Sequence, residues 1–213
     1  MKKKTRGMFI TFEGVEGSGK STHSELLYKH LKRLGYNCVH TREPGGTKVG
    51  EQVRRVLLDV RNSALTPLCE LFLFESARAQ IVQEVIVPNL DKGRIVICDR
   101  FFDATIAYQG FGAGLDLDMI EKLNTSATGG LAPDLTVYMD LDEKTGLRRS
   151  RRLDRMEKKS MAFHKRVRKG YLYLARKKSG RIKLISVERR MEDTQKKVRD
   201  AVLNAISGCK RPG

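Results

Sequence analysis

The sequence predicts an α/β fold of three layers, in which a parallel sheet of five strands lies between two layers of helices. Strand-like apolar segments alternate with segments of helical periodicity, and one strand segment is apolar throughout. A glycine-rich loop also joins the first strand to the first helix. No linker rich in Pro, Gly or Ser divides the 213 residues, so we expect one domain over residues 1–213.

The predicted elements follow one another with short connections. The first strand covers residues 8–12, and the first helix, residues 20–34, carries four leucines at helical spacing and ends at Gly35. The other strands are predicted at 37–41, 94–98, 135–139 and 183–187. The other helices are predicted at 49–59, 67–87, 118–127, 158–178 and 192–206. Crossovers between parallel strands are expected to be right-handed.

The loop at residues 14–21, GVEGSGKS, matches the pattern G-x-x-x-x-G-K-[ST] at every fixed position. Glycines in such a loop let backbone N–H groups turn toward phosphate oxygens, and the following helix adds its positive end. Lys20 is expected to reach the β- and γ-phosphates, and Ser21 to bind Mg²⁺. A surface turn is the alternative, which the flanking strand and helix disfavour. The predicted ATP-contacting residues here are Gly14, Val15, Glu16, Gly17, Ser18, Gly19, Lys20, Ser21 and Thr22.

Asp99 and Arg100 directly follow the apolar third strand. Strand ends line the ligand crevice of open α/β sheets, so Asp99 is well placed to act on Mg²⁺ or its waters. Arg100 is suited to clamp a second phosphate group through two hydrogen bonds. A structural salt bridge is the alternative role for Asp99.

Phe74 and Arg78 lie four residues apart on one face of the predicted helix 67–87. An aromatic ring and a guanidinium together suit a flat heterocycle, which the ring stacks on and the guanidinium hydrogen-bonds. Taken alone, Phe72 and Phe74 fit the hydrophobic core better than a binding site, and their position in the helix does not override that.

The net charge of +17 is concentrated in one segment. Residues 144–183 contain 17 Lys or Arg and only two acids, Asp154 and Glu157. Such a segment attracts polyanions, although many of its cations suit a solvated helix face. The arginine-rich stretch RRSRRLDR at residues 148–155 suits a mobile lid that closes over a triphosphate. A nucleic-acid patch is the alternative, and the lack of interleaved aromatic residues disfavours it.

The four cysteines indicate neither a zinc site nor a disulfide framework. Cys38, Cys69, Cys98 and Cys209 have no C-x-x-C spacing, and two of them lie in strand-like segments. No apolar run is long enough to span a membrane, and the apolar stretch after the basic N-terminus is too short for a signal peptide. We therefore expect no membrane association and a cytoplasmic location.

Seven stretches occur in an order that resembles bacterial thymidylate kinases. They are FEGVEGSGKST, TREPGGT, ELFLFESAR, CDRF, AYQG, PDLTVYMD and LDRME, and the likeness runs from about residue 8 to about residue 205. The resemblance implies a P-loop NTPase fold of the nucleoside monophosphate kinase type with a short lid, at about residues 146–158. It also implies the reaction of ATP with dTMP to give ADP and dTDP with Mg²⁺, and a homodimer. Nucleic acid is not expected as a partner.

The resemblance also assigns residues to dTMP. It implies that Phe74 stacks on thymine, that Arg78 bonds the base and that Arg100 holds the monophosphate. Tyr108 is implied to favour deoxyribose by crowding a 2′-hydroxyl. Thr105 and Gln109 are expected in the same pocket wall, and Glu43 and Pro44 in the loop beside the monophosphate.

The phosphate loop has no arginine at its variable positions, so the chain resembles relatives whose catalytic arginine lies in the lid. The predicted catalytic residues are Lys20, Arg152, Asp99 and Glu16, and Ser21 and Asp99 are the predicted metal ligands. Arg148 is predicted to contact ATP. The lid is shorter than the family pattern, so alternatives to Arg152 stay open; they are Arg148, Arg149, Arg151 and Arg155.

Two other functions stay open at this point. One is a different nucleoside or nucleotide kinase of the same fold, which would prefer another acceptor. The other is a P-loop protein that binds nucleic acid through the basic segment and transfers no phosphoryl group.

Overall fold

The computed structural model describes residues 6–150 and 154–209 and contains one sheet of five parallel strands. The strands are β1 (Phe9–Glu13), β2 (Cys38–Arg42), β3 (Ile95–Asp99), β4 (Leu135–Asp140) and β5 (Ile182–Ser186). Their order in the sheet is β2-β3-β1-β4-β5. The predicted five-stranded parallel sheet is confirmed.

The strand order places the predicted site at the centre of the sheet edge. β1 lies between β3 and β4, with Phe12 opposite Asp99 on one side and Glu13 opposite Tyr138 on the other. The loop after β1 and the residues after β3 therefore leave the sheet side by side. At this edge the chain leaves β1 toward the side of the sheet where β2 lies, and it leaves β3 toward the opposite side, where β4 lies. The two connections diverge, and a crevice for a ligand opens between them.

The helices cover both faces of the sheet, and the nine α-helical segments among the described residues have these bounds. They are α1 (Lys20–Arg33), α2 (Lys48–Leu58), α3 (Pro67–Ile81), α4 (Val87–Asp91), α5 (Phe102–Thr105), α6 (Leu117–Thr128), α7 (Glu143–Arg149), α8 (Met161–Lys177) and α9 (Met191–Cys209). Two π-helical segments, Val82–Ile86 and Ile106–Gly112, join α3 to α4 and extend α5.

Side-chain caps set several helix starts. Thr47, Thr66, Asp116, Asp142 and Ser160 each accept a hydrogen bond from a backbone N–H in the first turn of the helix that follows. These bonds satisfy donors that the first turn of a helix leaves without an internal partner.

The core forms on both sides of the sheet, as three layers require. On one face, Leu27 of α1 and Val198 of α9 pack with Phe12 and Val137 of the sheet. The other face holds two clusters, built from α3, α6, α8 and the π-helical segments.

The structure differs from the sequence prediction at several boundaries. The predicted helix 67–87 continues to Asp91 but widens into a π-helical turn before Pro88, whose nitrogen has no hydrogen to donate. The predicted helix 158–178 begins only at Met161, because Ser160 caps it. The fifth strand begins one residue before its predicted start. Helices α5 and α7 were not predicted.

Two composition-based expectations bear on the described residues. Cys38, Cys69 and Cys98 are free thiols, and Cys38 and Cys98 are buried in strands. Of the helices in the described part of the chain, none combines the length and the apolar character that a membrane span requires.

Candidate active site

A cavity of about 880 Å³ opens at the carboxyl edge of the sheet. It gathers residues from the phosphate loop, β2, α3, β3 and the π-helical segment Ile106–Gly112. All eight residues predicted to bind dTMP line it, namely Glu43, Pro44, Phe74, Arg78, Arg100, Thr105, Tyr108 and Gln109. So do seven residues predicted for ATP, metal or catalysis, namely Glu16, Gly17, Gly19, Lys20, Ser21, Thr22 and Asp99.

The remaining predicted ATP contacts are placed differently. Gly14, Val15 and Ser18 do not line the cavity. Val15 is buried in the core, and its carbonyl accepts hydrogen bonds from Ser18 Oγ and Lys20 Nζ. These residues shape the loop from behind.

Gly17 lies at the tightest point of the phosphate loop. Its φ of 67° lies in the left-handed region, and a Cβ there would come within 2.0 Å of the carbonyl oxygen of Gly146. In return, a Cβ on Gly146 would come within 2.3 Å of the carbonyl oxygen of Glu16. The two glycines let α7, which leads into the lid, contact the phosphate loop directly.

We expect Gly17→Ala to lower the free energy of unfolding of the ligand-free protein by about 2–4 kcal/mol, through backbone strain and the clash together. Gly114→Ala is the matched control, because Gly114 has a φ of 82° with open space around its Cβ position. Its expected loss is about 1 kcal/mol, from strain alone. Urea denaturation measures both values, and equal losses would contradict the close contact.

Lys20 opens α1 and folds back over the loop. Its Nζ donates to the carbonyl of Val15 at 2.7 Å and lies 3.4 Å from Ser18 Oγ. Burial and the charge of nearby Arg100 together lower the pKa of Lys20 to about 8, although the carboxylate of Glu16 acts in the opposite direction. The ammonium is therefore a cation near neutral pH that lacks a strong partner, which suits it to bind phosphate.

Ser21 and Asp99 meet beside the loop. The hydroxyl of Ser21 donates to Oδ2 of Asp99. Oδ1 of Asp99 is buried and has no hydrogen-bond partner among the described residues. A hydroxyl and a carboxylate with a spare oxygen are the hard donors that Mg²⁺ takes from a kinase, which completes its coordination with phosphates and water. These residues fit the predicted metal site.

Among the described residues, Ser21 and Asp99 are not part of a larger cluster of metal ligands. Across residues 6–150 and 154–209, no group of three or more His, Cys, Asp or Glu side chains is arranged to hold a metal ion.

Arg100 lines the cavity and has a left-handed backbone conformation, with a φ of 71°. Its Nη1 donates to the carbonyl of Gly14 and to the hydroxyl of Tyr171, each at 3.1 Å. Its Nη2 donates to the hydroxyl of Tyr108 at 3.1 Å and lies 3.4 Å from Oε1 of Glu16. A strained non-glycine residue at a strand end is typical of functional sites.

Glu16 is a buried anion among cations. Burial alone would raise its pKa, but the imidazole of His164, which faces it, and the charges of Arg100 and Lys20 outweigh burial and hold the pKa at about 2. The hydroxyl of Tyr108 donates to its Oε1 at 2.5 Å. The carboxylate therefore stays charged throughout the pH range in which kinases work.

Arg78 is held by three side chains and is only 2% exposed. Its Nε donates to Glu43 at 2.9 Å, and its Nη1 donates to Glu75 at 2.6 Å and to Asn124 at 2.8 Å. Burial raises the pKa of Glu43 to about 7 despite the charge of Arg78. The guanidinium is thus fixed in the cavity wall, as a residue that reads a base requires.

The remaining predicted dTMP residues form one wall. Phe74 is half-buried and lines the cavity, whereas Phe72 is 49% exposed, so the core alternative is wrong for Phe72. Thr105 is buried, and Nε2 of Gln109 donates to Glu70 at 2.7 Å.

The lid arginines have separate environments. Arg149 lines the cavity, whereas Arg148 donates to Thr145 Oγ1 at 3.2 Å and does not line it. Arg155 is buried and lies 2.5 Å from Glu70, so it anchors the end of the lid. Arg152, the predicted catalytic arginine, lies outside the described residues, and so does Arg151.

Four residues near the site carried no sequence signal. Arg54 lines the cavity and donates to the carbonyl of Pro44 at 2.8 Å. Asn124 and Tyr171 hold Arg78 and Arg100, and His164 faces Glu16. Each lies on a helix at a position typical of a solvated face or of the core. Only the fold brings these four residues to the site.

A family model described as Thymidylate kinase matches residues 12–198. The chain belongs to the thymidylate kinase family. It is 47% identical to the thymidylate kinase of Geotalea daltonii over 212 residues, which cover 95% of this chain and 99% of that protein. It is 54% identical to the thymidylate kinase of Geobacter sp. over 178 residues, which cover 79% of each chain.

A solved structure supports the same assignment. The crystal structure of thymidylate kinase from Ehrlichia chaffeensis is similar, with a TM-score of 0.77 and 36% sequence identity. The match covers 93% of this chain and 99% of that one. The predicted P-loop kinase fold and the predicted family are confirmed.

Proposed function

We propose a residue-level mechanism for the reaction of this enzyme, in which the γ-phosphoryl group of ATP passes to dTMP to give dTDP and ADP. The observation that carries it is the single cavity in which the phosphate loop, Asp99 and all eight predicted dTMP residues meet. In this proposal residues 1–213 form one kinase domain that works in the cytoplasm, where dTMP and ATP enter nucleotide synthesis.

The donor ATP is held by the phosphate loop. Its backbone N–H groups and the start of α1 receive the phosphates, and Lys20 turns from the carbonyl of Val15 to the β- and γ-phosphates. Ser21 and Asp99 would hold Mg²⁺, which neutralises phosphate charge when bound. The enzyme thus concentrates positive charge where it is needed.

The acceptor dTMP lies on the other side of the cavity. Phe74 stacks on thymine, and Arg78 hydrogen-bonds the base from its fixed place in the wall. Arg100 holds the monophosphate. The monophosphate replaces the contacts that Arg100 makes to Glu16 and Tyr108 in the ligand-free protein. Tyr108 lies against the sugar and disfavours a 2′-hydroxyl.

Phosphoryl transfer needs positioning and charge neutralisation rather than a covalent protein intermediate. Arg152 is the proposed catalytic arginine of the lid, and Arg149, which lines the cavity, is the described alternative. Closure of the lid excludes water, which would otherwise compete with dTMP as the acceptor.

An acceptor assay tests the proposal. With ATP and Mg²⁺ in excess, ADP release is measured with dTMP, thymidine, dUMP and dAMP as acceptors. We expect the highest kcat/KM with dTMP, and omission of Mg²⁺ should abolish turnover. Thymidine outcompeting dTMP would contradict the acceptor assignment.

An apolar patch supports the proposal of a homodimer. Val49 and Val56 on α2, Val60 after it, and Leu68 and Phe72 on α3 are 41–49% exposed. Apolar side chains exposed together on two packed helices are typical of protein–protein contacts. We propose that this patch, Val49, Val56, Val60, Leu68 and Phe72, packs against its copy in a second subunit.

We expect Phe72→Glu to convert the dimer to a monomer, because two carboxylates would be buried near a twofold axis. The molar mass, measured by light scattering after gel filtration, should fall by half. Leu184→Glu is the matched control, since Leu184 is 44% exposed but lies on β5 at the sheet edge. A wild-type monomer would contradict the proposal.

A further inference from the structure

His164, in α8, lies directly behind the phosphate loop and is only 1% exposed. Its Nδ1 atom is 3.4 Å from Oε2 of Glu16. Among the residues that the structure describes, neither atom has a hydrogen-bond partner. Buried polar atoms without partners are costly, and a protonated imidazole that faces the carboxylate lowers this cost for both side chains.

Glu16 is contacted at both oxygens. Oε1 accepts from Tyr108 at 2.5 Å and lies 3.4 Å from Nη2 of Arg100. Oε2 faces His164. The carboxylate thus lies beside Arg100, which the proposed function assigns to the acceptor phosphate. The orientation of the carboxylate determines how strongly it interacts with Arg100.

We propose that protonated His164 is a positioning residue that holds Glu16 by Oε2 and thereby keeps Arg100 available to the acceptor phosphate. A carboxylate free to turn would bring both oxygens toward Arg100 and Lys20 and compete with incoming phosphates for them. This role rests on the proposed function, because it depends on Arg100 as the ligand of the dTMP phosphate.

The surroundings of His164 favour its charged form. Burial lowers its pKa, but the carboxylate of Glu16, which faces Nδ1, raises it by more, and the nearby backbone carbonyls of Glu157 and Lys159 add to the rise. Tyr108 faces the same carboxylate from the π-helical segment, and the Lys159 ammonium lies over the ring of Phe163. The pKa of His164 is therefore above its usual value, and the imidazolium is lost as the pH rises through it.

The test is the pH dependence of kcat/KM for dTMP in wild type and in His164→Asn. At about pH 6 we expect kcat/KM for dTMP to be about tenfold lower in the variant, mainly through a higher KM, since the cation that faces the Glu16 carboxylate is lost. The difference should shrink as the pH rises through the pKa of His164, because the wild-type imidazole then becomes neutral too. His30→Asn on α1 is the matched control and should follow wild type at every pH.

A constant ratio between wild type and His164→Asn at every pH would overturn the proposal, because it indicates packing alone. If His164→Asn fails to fold, NMR titration of the imidazoles in the full chain still tests the pairing. We expect His164 to titrate above His30, and Glu16→Gln to lower the His164 pKa; no change in Glu16→Gln would overturn the pairing. A wild type inactive on dTMP would instead refute the proposed function, whereas the titration tests the pair without substrate.

Discussion

Replacing Lys20 by Met is expected to lower kcat by at least about 100-fold, because the variant loses the one ammonium that the loop aims at the transferred phosphoryl group. The loss should appear in kcat as well as in the KM for ATP, since charge on the phosphates grows in the transition state. Steady-state kinetics with varied ATP at saturating dTMP measure both constants.

The stability of Lys20→Met separates chemistry from folding. Lys20 is 7% exposed and its cation has only a carbonyl and a hydroxyl as hydrogen-bond acceptors, so Met removes a costly buried charge. We therefore expect an unchanged or higher Tm. Lys29→Met on the same helix is the matched control, because Lys29 is exposed and pairs with Glu25. Activity of Lys20→Met within tenfold of wild type would contradict the role of Lys20.

The charge of Lys20 also sets a pH limit. Burial holds the pKa of Lys20 at about 8, so the cation is present below that pH and lost above it. Since kcat/KM reports the free enzyme, kcat/KM for ATP should fall as the pH rises through about 8. The fall should be absent in Lys20→Met.

Local patterns explain why much of the site could be predicted from the sequence. The phosphate loop is a contiguous motif, and its conformation depends on its own glycines and on the helix that follows. Asp99 and Arg100 could be predicted because the carboxyl ends of parallel strands meet at one edge of the sheet. The register of Phe12 with Asp99 brings the end of β3 next to the phosphate loop. The assignment of these residues to dTMP came from the family resemblance.

Long-range packing explains what could not be predicted. Glu13 is the last residue of an apolar strand, and in the sequence an acid at that position indicates only where the strand ends. In the fold its carboxylate accepts hydrogen bonds from the N–H of Phe101 and the hydroxyl of Tyr171. Burial raises its pKa to about 8. Tyr171 and His164 lie on the buried face of α8, where the helical pattern of the sequence does not distinguish them from ordinary core residues.

Two further gaps have different causes. The π-helical segment Ile106–Gly112 carries Tyr108 and Gln109 into the cavity wall, and its wider turn leaves no periodicity that sequence patterns detect. In the lid, Arg148, Arg149 and Arg155 have similar surroundings in sequence but different ones in space. Of these three described lid arginines, Arg155 is the buried one; it is anchored by Glu70 and the carbonyl of Leu57, and neither partner is near it in the chain.

Replacing Arg100 by Ala is expected to raise the KM for dTMP by about 100-fold or more while ATP binding stays within about twofold. The loss corresponds to two charge-assisted hydrogen bonds to one phosphate, each worth about 1.5–3 kcal/mol. The KM comes from steady-state kinetics with varied dTMP, and ATP affinity comes from calorimetry in the absence of acceptor.

Two companion variants separate the guanidinium from the backbone that carries it. Ala at a φ of 71° is strained, whereas Gly is not, so Arg100→Gly removes the same side chain without that strain. Equal KM values for dTMP in the two variants would assign the loss to the guanidinium. Arg100→Lys keeps a charge but not two parallel hydrogen bonds, so its KM should lie between. If all three bind dTMP as wild type does, Arg100 serves only to hold Glu16 and Tyr108, and the acceptor phosphate lies elsewhere in the cavity.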